Sequence, residues 1–146
     1  MSVVEEFLSK DQEQSIINAI KLAEKNTSGE IRVHIEKNAN KPPFERAKEV
    51  FKFLKMDQTH LKNGVLFYLA IESKHFAIIG DEGIHKLVPE KFWKTIKNKV
   101  ISNFAEKHYA KGLEEGILEV GNQLKTFFPY EKEDINELPD EISKGE

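Results

Sequence analysis

The chain has 146 residues, 39% of them hydrophobic, which is enough for one domain with a hydrophobic core. It contains no cysteine, which excludes disulfides, a thiol nucleophile and cysteine-bound zinc. Its formal net charge of −3 argues against a nucleic-acid-binding protein.

The first part of the chain predicts a helix, a strand and a second helix. Ser9 begins a capping box, and apolar residues at helical spacing follow it, so we expect a helix over about Lys10–Lys25. Glu30–Glu36 alternates between apolar and polar residues, which predicts a strand with one less covered face. His34 lies on that polar face and is interpreted as an ordinary surface histidine. Pro43 suits the first turn of the next helix.

The second part predicts two more strands and two long helices. Gly64–Ile71 is an almost continuous apolar run, as in a strand covered on both faces, and a turn leads from it to a third strand, His75–Ile79. Helices are predicted from near Pro89 and over about Leu113–Phe127. Gly121 lowers the helix propensity of the last one, and we interpret it as a site of close packing.

These elements predict an α/β sandwich formed by residues 1–128. The segment from Glu131 to Glu146 contains seven acidic residues and two lysines, and the apolar periodicity ends before it. We therefore expect residues 129–146 to be an acidic, mobile tail.

Strand directions bring several polar residues to one place. The first two strands are joined through a helix and should be parallel, whereas the second and third form an antiparallel hairpin. The start of the first strand, the start of the second and the end of the third then share one sheet edge. This edge collects Glu30, Asn63, Asp81 and Glu82, and Asp57 lies in the loop that enters the second strand.

Carboxylates and an amide oxygen on loops suit a hard divalent cation, Ca²⁺ or Mg²⁺. The predicted metal ligands are Glu30, Asp57, Asn63, Asp81 and Glu82. The alternative is that Gly80–Gly83 is a simple turn with its carboxylates at a helix N-terminus, and that Glu30 pairs with Lys62 or Arg32 at the surface. Neither a G-x-S-x-G nor a P-loop motif is present, so serine-hydrolase and P-loop chemistry lack their parts.

Three segments resemble the TPM domain family: Thr27–Val33, Asn63–Ala70 and Phe76–Ile84. That family includes thylakoid-lumen proteins of photosystem II repair and animal modulators of acetylcholine receptors, and the resemblance runs from about Leu8 to Phe128. It implies an α/β/α sandwich around a small mixed sheet of three to four strands, the fourth of which we do not place. It also implies divalent cations at acidic loops, as an analogy at the level of the fold.

The favoured function is a divalent-cation-binding module that acts through interactions with a protein partner, still unknown, rather than through turnover. The resemblance also implies two alternatives. One is a metal-assisted phosphatase, in which Lys62, Arg32 and His85 would hold phosphate. If the protein is an enzyme, we expect it to be of this kind. The other is an accessory factor in membrane-protein assembly or repair.

Localisation departs from what the resemblance implies. Many TPM relatives look exported or membrane-tethered, but the first residues here lack the basic and apolar parts of a signal peptide. No apolar run reaches the length of about 18 residues that a membrane span needs. We therefore expect a cytoplasmic protein without a membrane span.

Overall fold

The computed structural model describes residues 3–130 and 138–145. Over these ranges the chain forms six α-helices, four β-strands and one 3-10 turn, Met56–Gln58. The helices are α1 (Val3–Phe7), α2 (Lys10–Glu24), α3 (Pro43–Phe53), α4 (Glu82–His85), α5 (Glu90–Ala105) and α6 (Tyr109–Leu124). The strands are β1 (Glu30–Glu36), β2 (Gly64–Ala70), β3 (His75–Gly80) and β4 (Ser143–Lys144).

The strands form one mixed sheet in the order β3-β2-β1-β4. β1 and β2 are parallel, with Glu30 opposite Gly64, and α3 supplies the connection between them. β2 and β3 are antiparallel, with Val65 opposite Gly80. β4 runs parallel to β1, with His34 opposite Ser143. The predicted parallel pair and hairpin are confirmed, and the fourth strand comes from the acidic tail.

Helices cover both faces of the sheet, as the α/β/α prediction requires. The alternate residues Ile31 and Val33 of β1 face the layer formed by α2, α5 and α6. On the other face, Leu66 and Tyr68 of β2 pack with Val50 of α3. β2 is therefore buried on both sides, which explains its continuous apolar sequence. Among the described residues, no helix is long and apolar enough to cross a membrane.

Local sequence signals determine several helix ends. The side chain of Ser9 accepts a hydrogen bond from the backbone N–H of Gln12, and the side chain of Gln12 accepts one from the N–H of Ser9. Pro43 stands in the first turn of α3. Backbone N–H groups in this turn have no acceptor within the helix, so the missing N–H of proline costs no hydrogen bond. α6 begins at Tyr109 rather than at the predicted Leu113. The sequence did not indicate this first turn, because it lacks a continuous apolar stripe.

The prediction that one face of β1 is less covered was wrong. All seven residues of this strand are buried, and His34 is only 4% exposed rather than a surface histidine. The cover comes from the tail, because Leu138 is buried against the α3 face and β4 pairs with β1.

The division of the chain after residue 128, and the mobility of the tail, stay predictions. Residues 131–137 lie outside the described part of the chain. Residues 138–145 are described, and they contact the sheet through Leu138 and β4. The tail's end therefore contributes to the sheet that the rest of the chain forms.

Close packing of α2 on α6 depends on a glycine, as the sequence suggested. A Cβ atom built at Gly121 would lie 2.7 Å from the Cβ of Ala23 and 2.8 Å from its Cα, closer than real carbon atoms approach. Ala23 is fully buried in the main core cluster. The two helices can therefore cross at this distance only while position 121 has no side chain.

We expect Gly121→Ala to lower the free energy of unfolding by about 1–2 kcal/mol, measured by urea denaturation. The gain of about 1 kcal/mol in helix propensity opposes this loss but does not cancel it, since the methyl group overlaps backbone as well as side chain. Asn98→Ala on the exposed side of α5 is the matched control and should leave stability unchanged or slightly higher. A stabilised Gly121→Ala variant would show that the helix crossing is not tight.

Candidate functional site

The sheet edge predicted from strand directions exists. The backbone N–H of Glu30 donates to the carbonyl of Asn63 over 3.2 Å, and the N–H of Asp81 donates to the carbonyl of Gly64 over 2.9 Å. The start of β1, the start of β2 and the end of β3 therefore meet at one edge, and Glu30, Asn63 and Asp81 lie on it. Their role as metal ligands stays a prediction.

The edge is divided by a buried methionine. Gly64 lies between Glu30 and Asp81 in the strand register. A Cβ atom built at Gly64 would lie 3.5 Å from the methyl carbon of Met56, so this side chain covers the strand between the two carboxylates. Within residues 3–130 and 138–145, no group of three or more His, Asp or Glu side chains is arranged to hold a metal ion. The predicted ligands thus share an edge but not a cluster.

On one side of this division, the tail contacts Glu30. The Glu30 side chain is 4% exposed, and its Oε1 accepts a hydrogen bond of 2.6 Å from the backbone N–H of Leu138. Asn63 also faces this side, since its Nδ2 donates to Ser28 Oγ over 3.4 Å. On this side of Met56, two of the five predicted ligands, Glu30 and Asn63, therefore have protein partners.

Glu24 and Asp140 extend the Glu30 side into an acidic cluster that the sequence did not reveal. Glu24 Oε2 accepts a hydrogen bond of 3.1 Å from the N–H of Ile31. Burial raises the pKa of Glu24 from its ordinary value of 4.5 to about 9, with further contributions from the hydrogen bond and charge of Asp140 and from the charge of Glu30. Glu24 is therefore protonated at neutral pH.

We expect Glu24→Gln to raise the free energy of unfolding at pH 8 by an amount on the order of 1 kcal/mol. The folded pKa of Glu24 exceeds the unfolded one, so the folded state binds more protons between pH 4.5 and about 9, and stability falls as pH rises through this window. Glutamine keeps the acceptor for Ile31 and does not titrate. The measurement is urea denaturation at pH 5 and pH 8.

The gain should be much smaller at pH 5 than at pH 8. Glu106→Gln, at an exposed position, is the control and should change stability little at either pH. Equal stability of Glu24→Gln and the parent at pH 8 would contradict a protonated Glu24.

On the other side of Met56, Asp81 has an unused carboxylate oxygen. Its Oδ1 accepts a hydrogen bond of 2.7 Å from the N–H of Glu82, as the N-cap of α4. Its Oδ2 is buried without a hydrogen-bond partner among the described residues, and so is the hydroxyl oxygen of Thr59. Glu82 itself is exposed on the first turn of α4. The turn that the alternative predicted is present, but it leaves one carboxylate oxygen unsatisfied.

The loop that carries Thr59 packs directly on α4. A Cβ atom at Gly83 would lie 2.5 Å from the carbonyl oxygens of both Leu61 and Lys62. Any larger residue at position 83 would push this loop away from Asp81. Gly83 therefore keeps the loop entering β2 against the end of β3.

A cavity of about 380 Å³ opens beside Asp81, and Asp57 lines it as well. Six titratable side chains line this cavity: Lys48, Glu49, Lys52, Asp57, Asp81 and His85. Lys62 donates a hydrogen bond from its ammonium group to the backbone carbonyl of Asp57. Arg32, in contrast, is buried on β1 and donates to the carbonyl of Glu141 over 3.2 Å. Of the predicted phosphate-holding residues, only His85 lines this cavity.

At the far end of β1, the buried carboxylate of Glu36 organises a second polar network that the sequence did not reveal. Arg46 donates two hydrogen bonds to it, of 2.8 and 2.9 Å, and the hydroxyl group of Tyr68 donates another. His34 Nε2 lies 3.0 Å from Glu36 Oε1, and His34 Nδ1 lies 2.9 Å from the hydroxyl oxygen of Ser143. This network joins β1, α3, β2 and β4.

The charges in this network follow from burial and hydrogen bonding. Burial by itself would raise the pKa of Glu36, but the hydrogen bonds from Arg46, Tyr68 and His34 outweigh it and lower the pKa to about 2. Burial lowers the pKa of His34, and Glu36 opposes this only in part. We infer a charged Glu36 and a neutral His34 at pH 7, with His34 donating to Glu36 and accepting from Ser143.

We expect Tyr68→Phe to lower the free energy of unfolding at pH 7 by about 2 kcal/mol, because it removes a buried hydrogen bond to a charged group. The folded pKa of Glu36 lies below the unfolded value of 4.5, so its contribution is complete above pH 4.5 and is lost as pH falls toward 2. The deficit of the variant should therefore shrink at pH 3. Tyr130→Phe, at a half-exposed position, is the control. A deficit that is independent of pH would contradict the role of Glu36.

The fold and the site together define a class of protein: an α/β/α sandwich domain with carboxylates on the loops at one edge of a mixed sheet. The sequence profile described as the TPM domain matches residues 2–123. The chain belongs to the TPM domain family.

Solved structures agree with this family. The NMR structure of the BA42 protein from the psychrophilic bacterium Bizionia argentinensis is similar over 99% of this chain and 100% of that one, with 50% sequence identity and a TM-score of 0.93. The N-terminal domain of a P. gingivalis protein is 21% identical, with a TM-score of 0.68, over 84% of this chain and 80% of that one.

The N-terminal domain of the cg2496 protein from Corynebacterium glutamicum is 14% identical, with a TM-score of 0.65, over 95% of this chain and 80% of that one. At these identities, the last two structures show a common fold alone. No curated protein matches the chain significantly in sequence.

Proposed function

We propose that this TPM domain binds one divalent cation, Ca²⁺ or Mg²⁺, on the Asp81 side of the sheet edge. The observation that carries the proposal is the buried Oδ2 of Asp81, which has no hydrogen-bond partner among the described residues. A buried carboxylate oxygen without a donor is unfavourable by about 1–3 kcal/mol or more. A cation beside it would compensate for the lost hydration.

The oxygen atoms available as metal ligands on the Asp81 side of Met56 suit a hard cation that keeps part of its water shell. Thr59 offers a second buried oxygen without a partner among the described residues, and Asp57 lines the same cavity as Asp81. Mg²⁺ is commonly bound through one or two carboxylates and several waters, so a cluster of three carboxylates is not required. Asp57 and Asp81 would hold the ion, whereas Glu30 accepts a hydrogen bond from Leu138 on the other side of Met56.

We further propose that the domain acts by binding rather than by turnover. A phosphatase needs groups that hold phosphate beside the metal. Of the predicted groups, Arg32 is buried toward the tail, and the ammonium of Lys62 contacts the carbonyl of Asp57. Lys48 and Lys52 do line the cavity, but the ammonium of Lys48 lies over the Phe44 ring, 4.8 Å from its centroid. Cation binding would instead join the loop before β2 to the start of α4, and this would order a surface for a protein partner. An accessory role in membrane-protein assembly remains an expectation of the resemblance, since no described contact favours it.

We expect Ca²⁺ and Mg²⁺ to raise the melting temperature of the parent protein, because a ligand that binds only the folded state stabilises it, by about 2.7 kcal/mol at 100 times its Kd. Asp81→Asn should weaken binding at least tenfold in titration calorimetry. Asparagine is as good an N-cap as aspartate, so the fold should be kept. Asp11→Asn, on the exposed first turn of α2, is the matched control and should bind like the parent.

Two results would overturn the proposal. One is cation binding by Asp81→Asn that equals that of the parent. The other is robust, metal-dependent hydrolysis of p-nitrophenyl phosphate by the parent that disappears in Asp81→Asn. The second result would leave the site in place but make it catalytic, in favour of the phosphatase alternative.

A further inference from the structure

A second cavity, of about 450 Å³, lies at the opposite end of the strands from Asp81. The end of β2 and the start of β3 form its floor, with Leu69 and Phe76, and helices α1, α5 and α6 contribute walls. Its volume is in the range of small-molecule sites, roughly 300–1,000 Å³. This cavity shares no residue with the one beside Asp81, so it can be tested independently of the cation proposal.

One wall of the second cavity is a chain of aromatic rings from four different elements. The ring centroids of Phe7 and Tyr109 are 5.0 Å apart, those of Tyr109 and Phe104 are 5.3 Å apart, and those of Phe104 and Phe76 are 5.4 Å apart. These separations are typical of stabilising aromatic pairs. Because the rings support one another, the wall is preformed and offers an apolar surface to a ligand.

The titratable side chains that line the second cavity, apart from the tyrosine of the aromatic wall, are all basic. Lys74, His75 and Lys97 line it, and no carboxylate of the described residues does. Neither ammonium group has an ion-pair partner within the described part of the chain. The nearby Glu72 does not line the cavity, and its Oε1 accepts a hydrogen bond of 3.4 Å from Asn38. Two uncompensated cations beside an apolar wall favour a ligand that is apolar along its length and anionic at one end.

We propose that this cavity binds a small amphiphilic acid, such as a medium-chain monocarboxylate. Its hydrocarbon tail packs against the aromatic wall, and its carboxylate lies near Lys74 and Lys97. The apolar contacts supply most of the affinity, because the ammonium groups are exposed and each contributes little in water. The lysines select acids over neutral and cationic amphiphiles of the same length.

The test is an amide NMR titration of the full chain with octanoate as the probe. We expect chemical-shift changes over residues 71–76 and 97–105, and weaker binding of octanol and octylamine. Acetate should cause no comparable change, because it lacks the tail. The double variant Lys74→Gln with Lys97→Gln should bind octanoate about tenfold more weakly, which corresponds to about 1.4 kcal/mol from two exposed charges. Lys91→Gln, an exposed lysine of α5 outside the cavity, should bind like the parent.

Ile101→Asp is a second variant, which places a carboxylate at a lining position that is 42% exposed and therefore tolerant of substitution. It should abolish octanoate binding while the spectrum stays folded. The proposal is overturned if octanol binds as tightly as octanoate, if acetate produces the same shifts, or if the double lysine variant binds like the parent. It is also overturned if phosphatidylglycerol vesicles shift these amides and monomeric octanoate does not, since the face would then contact a membrane surface.

Discussion

The buried carboxylate of Glu36 is the interaction on which the arrangement of the site depends. It accepts two hydrogen bonds from Arg46 of α3 and one from Tyr68 of β2, and it orients His34 toward Ser143 of β4. A carboxylate at this depth is stable only because donors surround it. The same network fixes α3 on the sheet and holds the end of the tail on β1.

The docked tail also contacts the acidic groups near the start of β1, at the opposite end of the strand from Glu36. The N–H of Leu138 reaches the carboxylate of Glu30, and Asp140 lies beside Glu24, whose pKa burial and the nearby acidic groups raise to about 9. These contacts give the Glu30 carboxylate a partner on the other side of Met56 from the cation site that we propose. Asp81 lies beyond Met56 and keeps an unsatisfied oxygen. The close contact of Gly83 with Leu61 and Lys62 keeps the loop entering β2, which carries Thr59, against the turn that begins at Asp81.

The sequence predicted the features that depend on near neighbours. Alternation located β1, the capping box of Ser9 located the start of α2, and the order of one crossover and one hairpin placed Glu30 and Asp81 at one edge. It did not predict what depends on residues about a hundred positions apart. β4 is two residues long and has no apolar pattern, so nothing indicated that the tail would bury the polar face of β1 and His34. Whether carboxylates on one edge form a cluster depends on side-chain packing, here of Met56.

The central claim is that a cation binds on the Asp81 side of Met56 and not on the Glu30 side. Mn²⁺ occupies oxygen-ligand sites like those of Mg²⁺ and Ca²⁺, and its unpaired electrons broaden nearby amide signals. The direct measurement is the loss of amide intensity across the spectrum at low Mn²⁺ concentration, with recovery when Mg²⁺ is added. Our interpretation predicts that amides of residues 57–59 and 80–83 lose intensity first. Broadening centred on Glu30 and Asp140, or confined to residues 131–137, would contradict it.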